Sequence, residues 1–219
     1  MKKAERRAYT FEVRAEENEG TARLEGRAIL YNARTNIGRF DEIIEPGALD
    51  GTDLKDVPFF ANHNVNSIPL ARSRNNNENS TMQLILDGEG LGIRADLDIE
   101  NNAEARALYS AVERGDITGM SFMMIGIKDK WEGARSEHPL RHITAIERIG
   151  EVSAVNFPAY PQTSIESREH SAALESAMES LESAIAEEEE EERKAQAAER
   201  RTAALERLNN LIMEGKRHE

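Results

Sequence analysis

The aromatics and prolines, and nearly all the glycines, lie in the first three quarters of this sequence. All eleven aromatics lie at or before Tyr160, all six prolines at or before Pro161, and thirteen of the fourteen glycines at or before Gly150. The 56 residues from Ser164 to Glu219 are rich in Ala, Glu, Leu and Arg and carry 15 acids against 8 bases. Those are good helix formers, but a segment without bulky side chains does not close a core of its own. The expectation is a compact domain over 1–163 and an acidic helical tail over 164–219, flexible or partner-binding. Leu174, Met178, Leu181 and Ile185 form a seam of about two heptads in that tail. Six glutamates follow, Glu187 to Glu192, whose like charges four apart repel on a helix. A second seam, Leu205, Leu208 and Ile212, is out of register with the first. Two helical segments around a charged joint are therefore expected.

The whole chain has 41 acids and 28 bases among 219 residues, a net of -13. Such a charge repels a phosphate backbone, so nucleic acid is not an expected partner. No apolar run approaches the roughly 18 residues a membrane span requires, and no charged-then-apolar leader opens the chain. Neither a membrane partner nor secretion is expected; the reading is a soluble intracellular protein. With no cysteine, disulfides, thiolate metal sites and cysteine nucleophiles are excluded.

Before Pro161 the chain reads as β-rich. Tyr9–Val13, Thr21–Tyr31, Met82–Leu86, Leu91–Leu97, Ile117–Lys130 and Ile143–Val155 are strand candidates bounded by Gly, Asn, Asp and Pro clusters. Asp87-Gly88-Glu89-Gly90 between apolar runs signals a hairpin. One helix is expected from Asn102 to Arg114: Asn102 caps it, Ala105, Leu108 and Val112 form its apolar stripe, and Gly115 follows its last turn. The fold class is α+β, mainly an antiparallel sheet or barrel decorated by helices.

There is no Gly-rich phosphate loop, dinucleotide fingerprint or clustered metal-ligand signature, so neither cofactor nor metal is expected. His138 and His142 are four apart, but Pro139 lies between them and the segment leads into a strand; they read as surface histidines. Two other segments are more suggestive. Val57-Pro58-Phe59-Phe60-Ala61-Asn62-His63-Asn64 runs an apolar strand into a histidine, holding the ring while leaving one nitrogen accessible, as a general base requires. Gly115-Asp116-Ile117-Thr118-Gly119-Met120-Ser121-Phe122-Met123-Met124 sets a lone serine in a β-prone apolar run directly after a glycine and a methionine.

In order, Asn62-His63, Gly119-Met120-Ser121-Phe122 and Glu151-Val152-Ser153-Ala154-Val155-Asn156-Phe157-Pro158-Ala159 resemble the prohead maturation proteases of tailed bacteriophages. Gly26-Arg27-Ala28-Ile29-Leu30-Tyr31-Asn32 and Phe40-Asp41-Glu42-Ile43-Ile44-Glu45-Pro46-Gly47-Ala48 look like that family's opening block, so the resemblance spans about residues 9–165. It implies an assemblin-like fold, since the family is related to the herpesvirus assemblins. It also implies Ser121 as nucleophile and His63 as base. A serine hydroxyl is weakly nucleophilic until a base takes its proton, and the imidazole then returns that proton to the leaving amine. Assemblins steady the imidazole with a second histidine, whereas the phage family resembles a carboxylate design. Glu151 is the choice here, Glu147 the alternative if strand pairing is regular, and His142 stays open.

Arg141 and Arg148 read as surface arginines rather than oxyanion donors. Phe59, Phe60, Met120, Met123 and Met124 read as core. The implied function is a serine endopeptidase of capsid maturation in the host cell cytoplasm, inside the assembling prohead. It would cleave scaffolding segments of the major capsid protein and itself, with self-association an open question. The tail would dock on scaffold helices, its acidic joint a self-cleavage region. The rival reading is a non-enzymatic scaffolding or capsid-assembly protein with a degenerate protease fold. A metal-dependent hydrolase lacks a ligand cluster.

Overall fold

The computed structural model describes residues 4–9, 13–18, 21–156 and 167–215. The chain runs β1 (Ala4–Tyr9), β2 (Val13–Asn18), β3 (Thr21–Leu30), β4 (Thr35–Asn36), β5 (Asp41–Ile44), β6 (Asp56–Ala61) and β7 (Ala71–Arg74). It continues through β8 (Met82–Asp87), β9 (Gly90–Leu97), α1 (Ala103–Glu113), β10 (Gly119–Glu132), β11 (Leu140–Val155) and α2 (Ser167–Gly215). This is an α+β chain, and it divides into two compact units between Ala177 and Met178.

The described strands make two sheets. One has four strands in the order β2-β3-β9-β8, all antiparallel. The other has seven and is mixed: β1-β10-β11-β5-β4, with β6 also on β11 and β7 on β6. The long β11 is antiparallel to β10 but parallel to β5 near its start and to β6 near its end. Leu24, Ile29, Met82, Leu91 and Ile93 share one buried cluster with Phe59, Met120, Phe122, Ile149 and Val152 and with the stripe of α1. That burial, roughly 1.5–3 kcal/mol per large side chain, fixes the strands that carry the candidate site.

Local chemistry explains the most legible elements. Asp87 Oδ1 accepts from the amides of Glu89 and Gly90 at 2.9 and 3.2 Å, closing the β8–β9 hairpin. Gly90 has φ +140°, and a Cβ there would lie 2.1 Å from the Ile29 carbonyl oxygen. Asn102 Oδ1 accepts from the amides of Glu104 and Ala105, capping α1, whose buried residues are Ala105, Leu108 and Val112. Gly115 follows with φ +76°.

For the strand expected at 9–13, residues 10–12 lie outside the described residues; β1 ends at Tyr9 and β2 begins at Val13. The tail is not two helices about a joint: α2 is one helix straight through Glu187–Glu192. Repulsion between like charges costs only tenths of a kcal/mol per pair, Lys194 Nζ pairs with Glu190 at 2.5 Å, and no Gly or Pro interrupts the segment before Gly215. In the first unit Ala173 and Ala177 are buried and Leu174 half-buried. In the second, Leu181 is buried while Met178 and Ile185 are half-buried. No helix among the described residues is long and apolar enough to cross a membrane.

Candidate active site

Strand register decides which side chains meet. β10 and β11 pair Ser121 with Ser153 and Met123 with Glu151, and β1 sets Arg6 against Met123. Directly opposed residues of an antiparallel pair share a face, about 4.5–5.5 Å apart at Cβ, with diagonal neighbours about 7–8 Å apart. Ser121 therefore neighbours Ser153 directly and Glu151 diagonally, on the face that also carries Arg6.

His63 reaches this face by a strained turn. β6 runs beside the end of β11, Ala61 against Ala154, and the chain then takes left-handed conformations at Asn62 (φ 47°) and His63 (φ 58°). Left-handed backbone costs a non-glycine residue roughly 1–2 kcal/mol, so it persists only where neighbours hold it. Here the Asn62 amide donates to the Ala154 carbonyl at 2.9 Å, and the Asn156 amide donates to Asn62 Oδ1 at 3.1 Å. The Asn64 amide donates to the Ala61 carbonyl at 3.1 Å. The result is contact: His63 Nδ1 lies 2.8 Å from Glu151 Oε1.

Glu151 is 2% exposed, and Arg6 Nε stands 3.3 Å from its Oε1. Its other oxygen, Oε2, accepts the Ser153 hydroxyl hydrogen. With Nδ1–H directed at a carboxylate, the opposite ring nitrogen of His63 is left as the basic one. Ser121 is fully buried, and its hydroxyl donates to the Arg7 carbonyl of β1 at 2.7 Å. A cleft of about 420 Å³ is lined by Ala61, Ala107, Ala111, Ile117 and Asn156, and none of His63, Ser121, Ser153 and Glu151 lines it.

The two alternatives for the third member are placed elsewhere. A bulge at Gly150 makes Glu151 pair with Met123 but Ile149 with Met124. Parity reverses there, so Glu147 belongs to the opposite face and is exposed; the premise of regular pairing fails. His142 sits nine residues away along β11, roughly 30 Å at strand rise. It is bonded there to Glu45 at 3.0 Å and to Glu132 at 3.2 Å. His138 pairs with Asp41 at 2.8 Å, and no group of metal-ligating side chains occurs among the described residues.

Arg141 is not the surface arginine expected: it is 2% exposed. Its Nη1 meets Glu5 at 2.8 Å and Glu42 at 3.1 Å, its Nε meets Asp129 at 2.5 Å, and its guanidinium lies 5.9 Å over the Trp131 ring. Arg7 joins through Glu5 at 2.6 Å and Glu42 at 2.5 Å. Burial raises the Glu5 carboxyl, but the hydrogen bond from Arg141 and the charges of Arg7 and Arg141 outweigh it and hold it below its ordinary value. Arg148 is exposed as expected, and Phe59, Phe60, Met120 and Met124 are core. The sequence reading missed Arg6 and Ser153. Ser153 was detectable, since two positions from Glu151 on a strand is the same face; Arg6 lay in a strand that its charged pattern concealed.

A family model described as caudovirus prohead serine protease matches residues 9–177. The chain belongs to that family. No curated protein and no solved structure matches it. Members are capsid-maturation serine proteases of tailed phages, acting in the assembling prohead within the host cell. The match ends where the first compact unit ends, at Ala177.

Proposed function

We propose that this chain is a serine endopeptidase that cleaves scaffolding segments of the phage capsid protein, and itself, with Ser121 as nucleophile, His63 as base and Glu151 orienting the imidazole. The 2.8 Å pair between His63 Nδ1 and Glu151 on the face shared with Ser121 carries the reading. In the resting geometry the Ser121 hydroxyl is engaged with the Arg7 carbonyl, so reaction begins with rotation of that side chain toward the imidazole. His63 Nε2 takes the hydroxyl proton as Oγ attacks the peptide carbonyl carbon. The same proton passes to the leaving nitrogen as the C–N bond breaks, and water then hydrolyses the seryl ester by the reverse use of His63.

Residues 1–163 would carry this chemistry on an assemblin-like scaffold, and the tail 164–219 would place the enzyme among its substrates. The experiment is mass spectrometry of the purified full chain beside Ser121→Ala and His63→Ala. Site-specific self-cleavage of the parent, with both variants intact, is the expected outcome. Identical behaviour of all three chains favours a non-enzymatic assembly protein on a degenerate protease fold.

A further inference from the structure

We propose that Ser153 is a positioning residue that locks Glu151 in the orientation His63 needs; this rests on the protease reading above. The carboxylate is gripped unequally. His63 Nδ1 and Arg6 Nε both approach Oε1, at 2.8 and 3.3 Å, whereas the Ser153 hydroxyl binds Oε2. A carboxylate held through one oxygen pivots about it, because the terminal torsion of a glutamate is broad and roughly two-fold. A donor on the second oxygen removes that freedom. Ser153 is itself rigidly held. It is fully buried, lies mid-ladder between Ser121 of β10 and Phe60 of β6, and is two residues from Glu151 on the same face.

The arrangement also separates the two serines by role. The Ser153 proton is committed to a carboxylate acceptor, so its oxygen is oriented toward Glu151. Ser121 is bonded to a neutral backbone carbonyl, from which a change of rotamer releases it. A loosened Glu151 would let the imidazole tilt, and misplacement of a catalytic group by about 1 Å can cost 100-fold. The effect on reactivity would pass through His63 rather than through contact with substrate.

The test uses the full chain and a fluorophosphonate–biotin probe, with the adduct mapped by peptide mass spectrometry. Ser153→Ala is expected to label at Ser121 about 10- to 100-fold more slowly than the parent, and Ser153→Thr, which keeps the hydroxyl, to recover most of the rate. Independently of reactivity, the low-field Nδ1 proton resonance of His63 is followed by NMR in the Ser121→Ala background. It should broaden or move upfield when Ser153→Ala is added and persist with Ser153→Thr. Should the alanine variant not fold, Ser153→Cys, a poor donor of similar shape, replaces it in both readouts. Labelling within twofold of the parent with an unchanged resonance overturns the proposal, as does an adduct on Ser153. A parent chain that does not label at all sinks the protease reading, while the resonance still decides the role of Ser153.

Discussion

His63 and Glu151 meet because two irregularities interrupt their strands. The left-handed turn at Asn62–His63 brings the imidazole back over the sheet, and the bulge at Gly150 rotates Glu151 onto the face of Ser121. Glu151→Gln keeps the shape and removes the charge. An amide turned toward Nδ1 favours the wrong tautomer, as in serine proteases whose acid is neutralised, where turnover falls about 10⁴-fold. Fluorophosphonate labelling should fall by about 10²- to 10⁴-fold, with the thermal unfolding midpoint little changed; a rate within threefold of the parent would remove Glu151 from the mechanism. The sequence named this pair through motif order, but could not choose between Glu147 and Glu151 from spacing. Period-two reasoning puts both on one face, and the single extra residue that separates them leaves little trace in the sequence.

Strands were legible in the sequence where an apolar pattern marks them and illegible where charges are buried in pairs. β3, β8, β9, β10 and β11 carry runs of Val, Ile, Leu, Met and Phe, whereas β1 reads Ala-Glu-Arg-Arg-Ala-Tyr and looks like a solvated segment. Glu5 and Arg7 of β1 are 1% and 5% exposed because Glu42 of β5 and Arg141 of β11 complete their ion pairs. Partners 35 and 136 positions away leave no local signal. Removing one member strands the others, so Arg141→Met should destabilise the fold by about 3–5 kcal/mol in urea unfolding. A change under 1 kcal/mol would mean that the cluster is solvated. The network also sets an acid limit. A carboxyl lowered in the native state contributes stability above its unfolded pKa and loses it as pH falls through the native value. For Glu5, and for Asp87, which the Arg27 hydrogen bond and the Glu89 amide bring down to about 2, that loss begins below about pH 5. Urea midpoints should hold from pH 7 to about 5 and then decline, less steeply for Arg141→Met; a flat profile to pH 3 would contradict the linkage.

For the molecule as a whole, composition was the ground for expecting a compact domain followed by a helical tail, because the aromatics, the prolines and thirteen of the fourteen glycines lie at or before Pro161. It did not reveal that the helix is continuous, since repulsion within a glutamate run competes with helix propensity and the balance is small. The second unit from Met178 is α2 alone among the described residues, with a charged surface and Leu205 53% exposed. A helix that is polar nearly all round is stabilised by i,i+4 pairs such as Glu190–Lys194, or by a partner. The family match stops at Ala177, the residue before that unit. The proposal that the chemistry and the tail are separable is tested at this scale by deleting 178–219. The shortened chain should label with fluorophosphonate within about twofold of the parent, because His63, Ser121, Ser153 and Glu151 all lie on β10, β11 and the turn after β6. Co-assembled with capsid protein, it should be incorporated into proheads several-fold less, measured by quantitative immunoblotting of purified particles. Full incorporation would assign delivery to the first unit, and loss of labelling would show that the helix supports the fold that holds the site.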